Sequence, residues 1–183
     1  MDLVAWSRVE AEARLSPLGS RWAHTLGVVH RAKGLAGTAP AADRETLIAA
    51  AYVHDVGYAP ELEDTGFHPL DGARWLRSCG HERLARLVAH HSGARFEAEA
   101  RGLVDELDMF PEERSVVADL LTYCDLTTDP DGHQVTLSAR LAGIDSRYAR
   151  DSDVSRGMRT AAGRLAALVR RAEREIARSG TSI

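Results

Sequence analysis

Apolar residues recur at helical spacing along nearly all of the 183-residue chain, and this periodicity is the feature that most constrains the fold. In one periodic segment, Leu18, Trp22 and Val29 fall on the same helical face. The six prolines lie at helix starts or in connections and interrupt no periodic segment. Strand signals are almost absent. The sequence therefore predicts an all-α fold, a single globular helical bundle over residues 1–183.

The predicted helices are bounded by capping residues, prolines or glycines. They cover about residues 2–14, 17–35, 42–55, 68–79, 81–91, 96–107, 111–127, 136–150 and 155–178. The third helix is apolar nearly all round over Leu47–Val53, which is typical of a helix at the centre of a bundle. The last helix, 155–178, places Leu165, Leu168 and Ile176 on one side. We expect it to pack as a terminal helix, and the alternative is a dimerisation helix in a homodimer.

Composition argues against several classes of partner. The net charge is −4 and the pI is near 6.1, so there is no electrostatic case for binding nucleic acid or an anionic membrane. The longest apolar run, Leu47–Val53, is too short to span a bilayer, and the first residues do not resemble a signal peptide. The two cysteines, Cys79 and Cys124, imply no disulfide framework. We expect a cytoplasmic enzyme or regulatory domain.

His54 and Asp55 stand side by side at the end of the apolar third helix, in the segment AAYVHDVGYAP. An ionised carboxylate buried without a partner costs several kcal/mol, so a salt bridge or a metal ion must compensate it. Four other segments place a His or an Asp within or at the end of a helix: His24; His68; His90 with His91; and Asp125. Imidazoles and carboxylates that are costly to bury separately become favourable around a dication. The pattern predicts a metal site, with satisfied structural histidines as the alternative.

The order of these residues resembles the HD-domain metal-dependent phosphohydrolase superfamily. The matching segments lie within about residues 17–150 and are RWAHTLGVVHRAKGLA, AAYVHDVGYAPEL, HPLDGARWL, the double histidine and LLTYCDLTTDPDGHQVTLSARLAGIDSRYA. The resemblance implies an HD-type helical bundle that holds two metal ions. The implied ligands are His24, His54, Asp55 and Asp125 for the first ion and His68, His90 and His91 for the second, with Asp55 bridging both. The ions are expected to be divalent transition metals, Fe or Mn before Co, Ni or Zn.

Departures from the family pattern narrow the prediction. Trinuclear relatives carry a Glu where this chain has Ser20, so two metals are favoured. The segment HHSGARFEAEA lacks the GYP extension of the cyclic-di-GMP phosphodiesterases. Many members carry a Lys where this chain has Tyr58, so phosphate contacts must come from elsewhere. Binuclear members often use one histidine of the double-histidine region, which ranks His90 before His91 as the expected ligand.

The resemblance implies hydrolysis of a small phosphoester, with a nucleotide as the expected substrate, through a hydroxide that bridges the two metals. His54 and Asp55 are the implied catalytic residues. Candidate phosphate contacts are the cationic residues Arg21, Arg95, Arg140 and Arg147. The alternatives are an HD-type mixed-valence diiron oxygenase, which needs the same ligands, and a regulatory HD module that binds a nucleotide without turnover.

Overall fold

The computed structural model describes residues 2–147 and 152–181, which form α-helices joined by short turns. In chain order the helices are α1 (Leu3–Leu15), α2 (Ser20–Leu35), α3 (Arg44–Val53), α4 (His68–Ser78), α5 (Glu82–His90), α6 (Ala94–Arg101), α7 (Val104–Asp108), α8 (Val116–Leu126), α9 (Leu137–Arg147) and α10 (Asp153–Ser179). No β-strand occurs within the described ranges, where an isolated bridge joins Thr128 and Gln134. The all-α prediction is confirmed.

The helix α3 lies at the centre of the bundle, and α1, α2, α5 and α8 pack around it. Leu47 and the whole run Ala49–Val53 are buried, as expected for a helix that is apolar nearly all round. Burial of one leucine side chain of this kind stabilises the fold by roughly 1.5–3 kcal/mol. The C-terminal end of α3 therefore delivers His54 and Asp55 directly into the core.

Two helix boundaries differ from the prediction. The expected helix over 96–107 is split in two, because Gly102 adopts a left-handed conformation with φ of 72° and ends α6. The helix expected from residue 111 begins only at Val116. Ser115 caps it, accepting a hydrogen bond from the backbone N–H of Ala118 at 3.2 Å.

A close backbone approach at Gly57 brings α4 against the turn that follows Asp55. A Cβ atom at Gly57 would lie 2.0 Å from the carbonyl oxygen of His68 and 2.6 Å from the backbone nitrogen of Gly72, so only glycine fits. Pro69 stands in the first turn of α4, where its missing N–H costs nothing. His68, the first residue of α4, is thereby held beside Asp55.

The C-terminal helix α10 packs against α6 and α8 and buries Leu165 and Ile176 completely, while Leu168 is partly buried. Its apolar side thus lies in the core of the monomer. Arg171 on this helix forms a bidentate ion pair with Asp119 of α8. None of the described helices combines the length and the apolar character needed to cross a membrane.

Candidate metal centre

A cavity of about 360 Å³ opens at the end of α3, and its walls come from five different helices and the turns between them. Predicted ligands that line it are His24, Asp55, His68, His91 and Asp125. His54 does not line the cavity and is fully buried. Residues that are up to 101 positions apart in the chain therefore meet in one polar cluster within the apolar core.

The carboxylate of Asp55 lies at the middle of this cluster. Its Oδ1 atom is 3.4 Å from Nε2 of His68, 3.6 Å from Nε2 of His54 and 4.0 Å from Nε2 of His91. Its Oδ2 atom is 3.3 Å from Nη1 of Arg21. Burial alone would raise the pKa of Asp55, but the surrounding imidazoles and Arg21 hold it below its ordinary value. Asp55 is therefore an ionised carboxylate at the middle of the cluster.

Backbone carbonyls fix the orientation of three of the imidazole rings. The Nδ1 atoms of His54, His91 and His24 lie 2.8 Å from the carbonyl oxygen of Ala51, 2.6 Å from that of Val88 and 3.0 Å from that of Asp129, respectively. A carbonyl only accepts hydrogen bonds, so each Nδ1 must carry the proton. In the neutral ring Nε2 is then a lone pair that faces the cluster, the arrangement found around metal-binding histidines.

The Nε2 atom of His54 is buried without a hydrogen-bond partner in the described part of the chain. Burial lowers the pKa of His54 despite the nearby Asp55 and Asp125 charges, so the ring is neutral and its Nε2 accepts only. Leaving such an atom unpaired in the core costs about 1–3 kcal/mol. A cation within reach of Nε2 satisfies this atom, and the site therefore fits a bound metal ion.

His24 and Asp125 form the closest pair in the cluster, with His24 Nε2 at 2.9 Å from Asp125 Oδ1. Burial opposes both charges, but the mutual hydrogen bond and charge raise the pKa of His24 and hold that of Asp125 well below its ordinary value. Asp125 also accepts a hydrogen bond from Ser92 Oγ and lies 3.4 Å from Nη2 of Arg140. Asp125 is therefore held from three sides.

The ligand atoms fall into two overlapping groups, each with all its atoms within 4.8 Å of one another. The groups are His24, His54 and Asp55, and Asp55, His68 and His91. Asp55 belongs to both groups, so the two sets of candidate ligands share one carboxylate. Nitrogen-rich donors with a carboxylate suit Fe, Mn, Co, Ni or Zn better than Mg.

The structure brings six of the seven predicted ligands together and leaves His90 apart. The Nε2 atom of His90 lies 2.5 Å from the carbonyl oxygen of Phe110, beside a separate cavity of about 50 Å³. His90 is the last residue of α5, and Ser92 has a left-handed backbone with φ of 51°. The chain therefore turns sharply here, and of the two histidines it is His91 whose ring faces Asp55.

The four arginines predicted to contact phosphate do not all lie at the cavity. Arg21 and Arg140 line the cavity. Arg95 does not line it and pairs on the surface with Asp108, at 2.6 Å. The side chain of Arg147 lies outside the described part of the structure.

Two polar residues of the cavity were missed by the sequence analysis, Ser92 and Glu97. Ser92 directly follows the double histidine, which was the available signal. Glu97 lies in the segment FEAEA, where nothing distinguishes it from Glu99 by type. A third group of candidate metal ligands, Asp129, Asp131 and His133, is largely exposed, and Asp129 Oδ1 accepts the backbone N–H groups of the other two.

The family model of the HD domain matches residues 21–129, more than half of the chain. The matched range contains every residue of the two overlapping ligand groups. Searches of curated proteins and of solved structures return no significant match. HD domains bind divalent metals, and most members of the family are metal-dependent phosphohydrolases. With its motifs, its helical bundle and its cluster of histidines and aspartates, the chain belongs to the HD domain family.

Proposed function

We propose that this chain is a metal-dependent phosphoric ester hydrolase that acts on a small phosphoester, with a nucleotide as the expected class. The observation that carries the proposal is the position of Asp55, whose carboxylate belongs to both ligand groups. A shared carboxylate sets two cations side by side, the arrangement of two-metal phosphoester hydrolases. His24, His54, Asp55 and Asp125 hold the first ion, and His68 and His91 hold the second together with Asp55.

Two divalent cations, when bound, acidify a water molecule and neutralise the phosphoryl oxygens. In the hydrolysis a P–O bond to the water oxygen forms, the ester P–O bond breaks, and the alcohol leaves with the proton released by the water. His54 and Asp55 are the catalytic residues in this proposal because they hold the reacting centre. The carbonyl of Ala51 keeps the His54 ring in the required tautomer.

Arg140 is the residue that we assign to the substrate phosphate. It lines the cavity, its side chain is 10% exposed, and its Nε atom has no hydrogen-bond partner among the described residues. An unpaired buried guanidinium N–H is a ready donor for a phosphate oxygen. Arg21 also lines the cavity, beside Asp55, and its guanidinium carbon lies 3.7 Å from the centre of the Tyr58 ring.

The experiment that tests the proposal compares metal content with turnover. Protein purified anaerobically is analysed by mass spectrometry as wild type, as Asp55→Ala and as Asp105→Ala, an exposed control. We expect about two ions per chain in the wild type and the control, loss of both in Asp55→Ala, and hydrolysis of a phosphoester panel by the first two proteins. Bound metal without phosphoester turnover would contradict the hydrolase, and oxygen-dependent turnover with two irons would establish the oxygenase instead.

A further inference from the structure

The lining of the cavity contains an acidic side chain, Glu97, that the hydrolase reaction as proposed does not use. Glu97 lies on α6, one helix after the turn that carries His91, and it lines the same 360 Å³ cavity. A volume of this size fits a small ligand, well beyond the phosphate group alone. Glu97 is thus placed to meet the part of a substrate that lies outside the metal centre.

One oxygen of Glu97 remains available to a ligand. Arg101 contacts only Oε1, through Nε and Nη2 at 2.8 Å each. Among the described residues no hydrogen bond to Oε2 occurs. The Glu97 side chain is 18% exposed, and α6, which carries it, packs against α10. Arg101 consequently holds the carboxylate in place through Oε1, and Oε2 can accept a hydrogen bond from a ligand.

The aromatic residue in the cavity offers no free face for stacking. The Tyr58 ring is stacked on His68 with centroids 3.9 Å apart, and the Arg21 guanidinium lies 3.7 Å from the same centroid. Two planar groups at these distances cannot share one face, so they cover opposite faces of the ring. A substrate is therefore held outside the metal centre by hydrogen bonds more than by stacking on this ring.

We propose that Glu97 selects the alcohol portion of the substrate by accepting a hydrogen bond from one of its hydroxyl groups, which makes the substrate class a sugar phosphate monoester. This inference rests on the proposed hydrolase function. The sugar could belong to a free sugar phosphate or to a nucleoside monophosphate, since both present the same hydroxyl groups. A site built to bind a hydroxyl discriminates strongly against an analogue that lacks it, because its own polar group is then left unpaired.

The test compares wild type, Glu97→Ala and Glu97→Gln, with Glu99→Gln on the same helix as the control. Glu99 is exposed, lies 3.6 Å from Arg95 and does not line the cavity. The substrates are ribose 5-phosphate, pentyl phosphate, which lacks further hydroxyls, and adenosine 5′-monophosphate. We expect Glu97→Ala to lower kcat/KM for ribose 5-phosphate roughly 10- to 100-fold and to leave pentyl phosphate within about twofold. Glu97→Gln, which keeps the shape and an acceptor oxygen, should lose less.

An equal loss on ribose 5-phosphate and pentyl phosphate would overturn the proposal, since it would assign Glu97 a structural role. The nucleotide distinguishes the sources of the sugar. If Glu97→Ala lowers kcat/KM for adenosine 5′-monophosphate as much as for ribose 5-phosphate, Glu97 binds the sugar hydroxyl in both substrates. If the wild type hydrolyses no phosphoester, the hydrolase function fails. Calorimetric binding of ribose 5-phosphate to the metal-loaded protein then decides the role of Glu97: weaker binding in Glu97→Ala supports it, and unchanged binding overturns it.

Discussion

His90 and His91 are consecutive in the chain, but their Nε2 atoms lie beside different partners. The Nε2 atom of His91 lies 3.4 Å from Nε2 of His68 and 4.0 Å from Oδ1 of Asp55. The Nε2 atom of His90 lies beside the carbonyl oxygen of Phe110. Two consecutive histidines thus differ in role: His91 is a candidate ligand, whereas His90 contacts a backbone carbonyl of the bundle.

This relationship predicts opposite effects for two neighbouring substitutions. His91→Ala removes a donor of the second metal group, so metal content should fall to about one ion per chain. His90→Ala should keep both ions, because its ring contributes to neither group. Mass spectrometry of the two purified variants measures the difference directly. Equal metal loss in both variants would refute the assignment of His91 over His90.

We expect the imidazole of His54 to lower the stability of the protein without metal, although the same group is suited to bind a metal ion. The Nε2 atom of His54 is buried and has no hydrogen-bond partner among the residues that the structure describes. Replacement with a similarly sized apolar residue, His54→Leu, removes a desolvation cost of about 1–3 kcal/mol, offset in part by the lost hydrogen bond to Ala51. We expect the metal-free variant to be at least as stable as the metal-free wild type in thermal unfolding with chelator. Added metal should raise the midpoint of the wild type more than that of the variant, which keeps the second ligand group.

Much of this site follows from the sequence, because each ligand lies at a recognisable point of a helix. His54 and Asp55 end an apolar helix, His68 begins one beside Pro69, and Asp125 lies within the apolar α8. Helices with one apolar face must pack those faces together, so polar residues embedded in them are brought near one another.

The remaining features depend on tertiary packing that no local pattern encodes. His91, and not His90, faces Asp55 at the point where the chain leaves α5, since His91 already has an extended backbone with φ of −63° and ψ of 152°. Glu97 and Glu99 are equivalent by type, and the packing of α10 against α6 is not visible in their segment. The boundaries of the single domain over 1–183 stay a prediction.

The left-handed backbone at Ser92 yields a further prediction. A non-glycine residue in this region carries strain of about 1 kcal/mol or more, which persists here beside the Asp125 ligand. Ser92→Ala and Ser92→Gly both lose the hydrogen bond to Asp125, so both should lower metal affinity roughly 10- to 100-fold. Only Ser92→Gly relieves the strain. In urea unfolding of the metal-free proteins, the free energy of unfolding of Ser92→Gly should exceed that of Ser92→Ala by about 1 kcal/mol. The reverse order of the two variants would contradict strain at Ser92.

Glu97 predicts a dependence of stability on pH. Burial raises the pKa of its carboxyl above the ordinary 4.5, with a smaller contribution from Asp153 and with Arg101 and His91 opposing. A raised folded pKa means that its contribution to stability is full below pH 4.5 and is lost as pH rises through the folded pKa. Glu97→Gln should therefore gain stability relative to wild type with rising pH, measured by urea unfolding with chelator. Glu99→Gln, an exposed control, should show no such trend.

Arg140 and Arg95 provide the matched pair that tests phosphate binding. Arg140 lines the cavity with an unpaired Nε atom, whereas Arg95 is bound to Asp108 on the surface. Loss of a charged hydrogen bond to phosphate costs roughly 1.5–3 kcal/mol, so Arg140→Met should lower kcat/KM for pentyl phosphate roughly 10- to 100-fold. Arg95→Met should stay within about twofold of wild type. Steady-state kinetics at fixed metal concentration gives both values. Arg140 also lies 3.4 Å from Asp125, so the metal content of the variant is measured beside its kinetics. Because pentyl phosphate carries no hydroxyl for Glu97, a loss on this substrate at unchanged metal content assigns the phosphate contact to Arg140, and an unchanged Arg140→Met would transfer that role to Arg21.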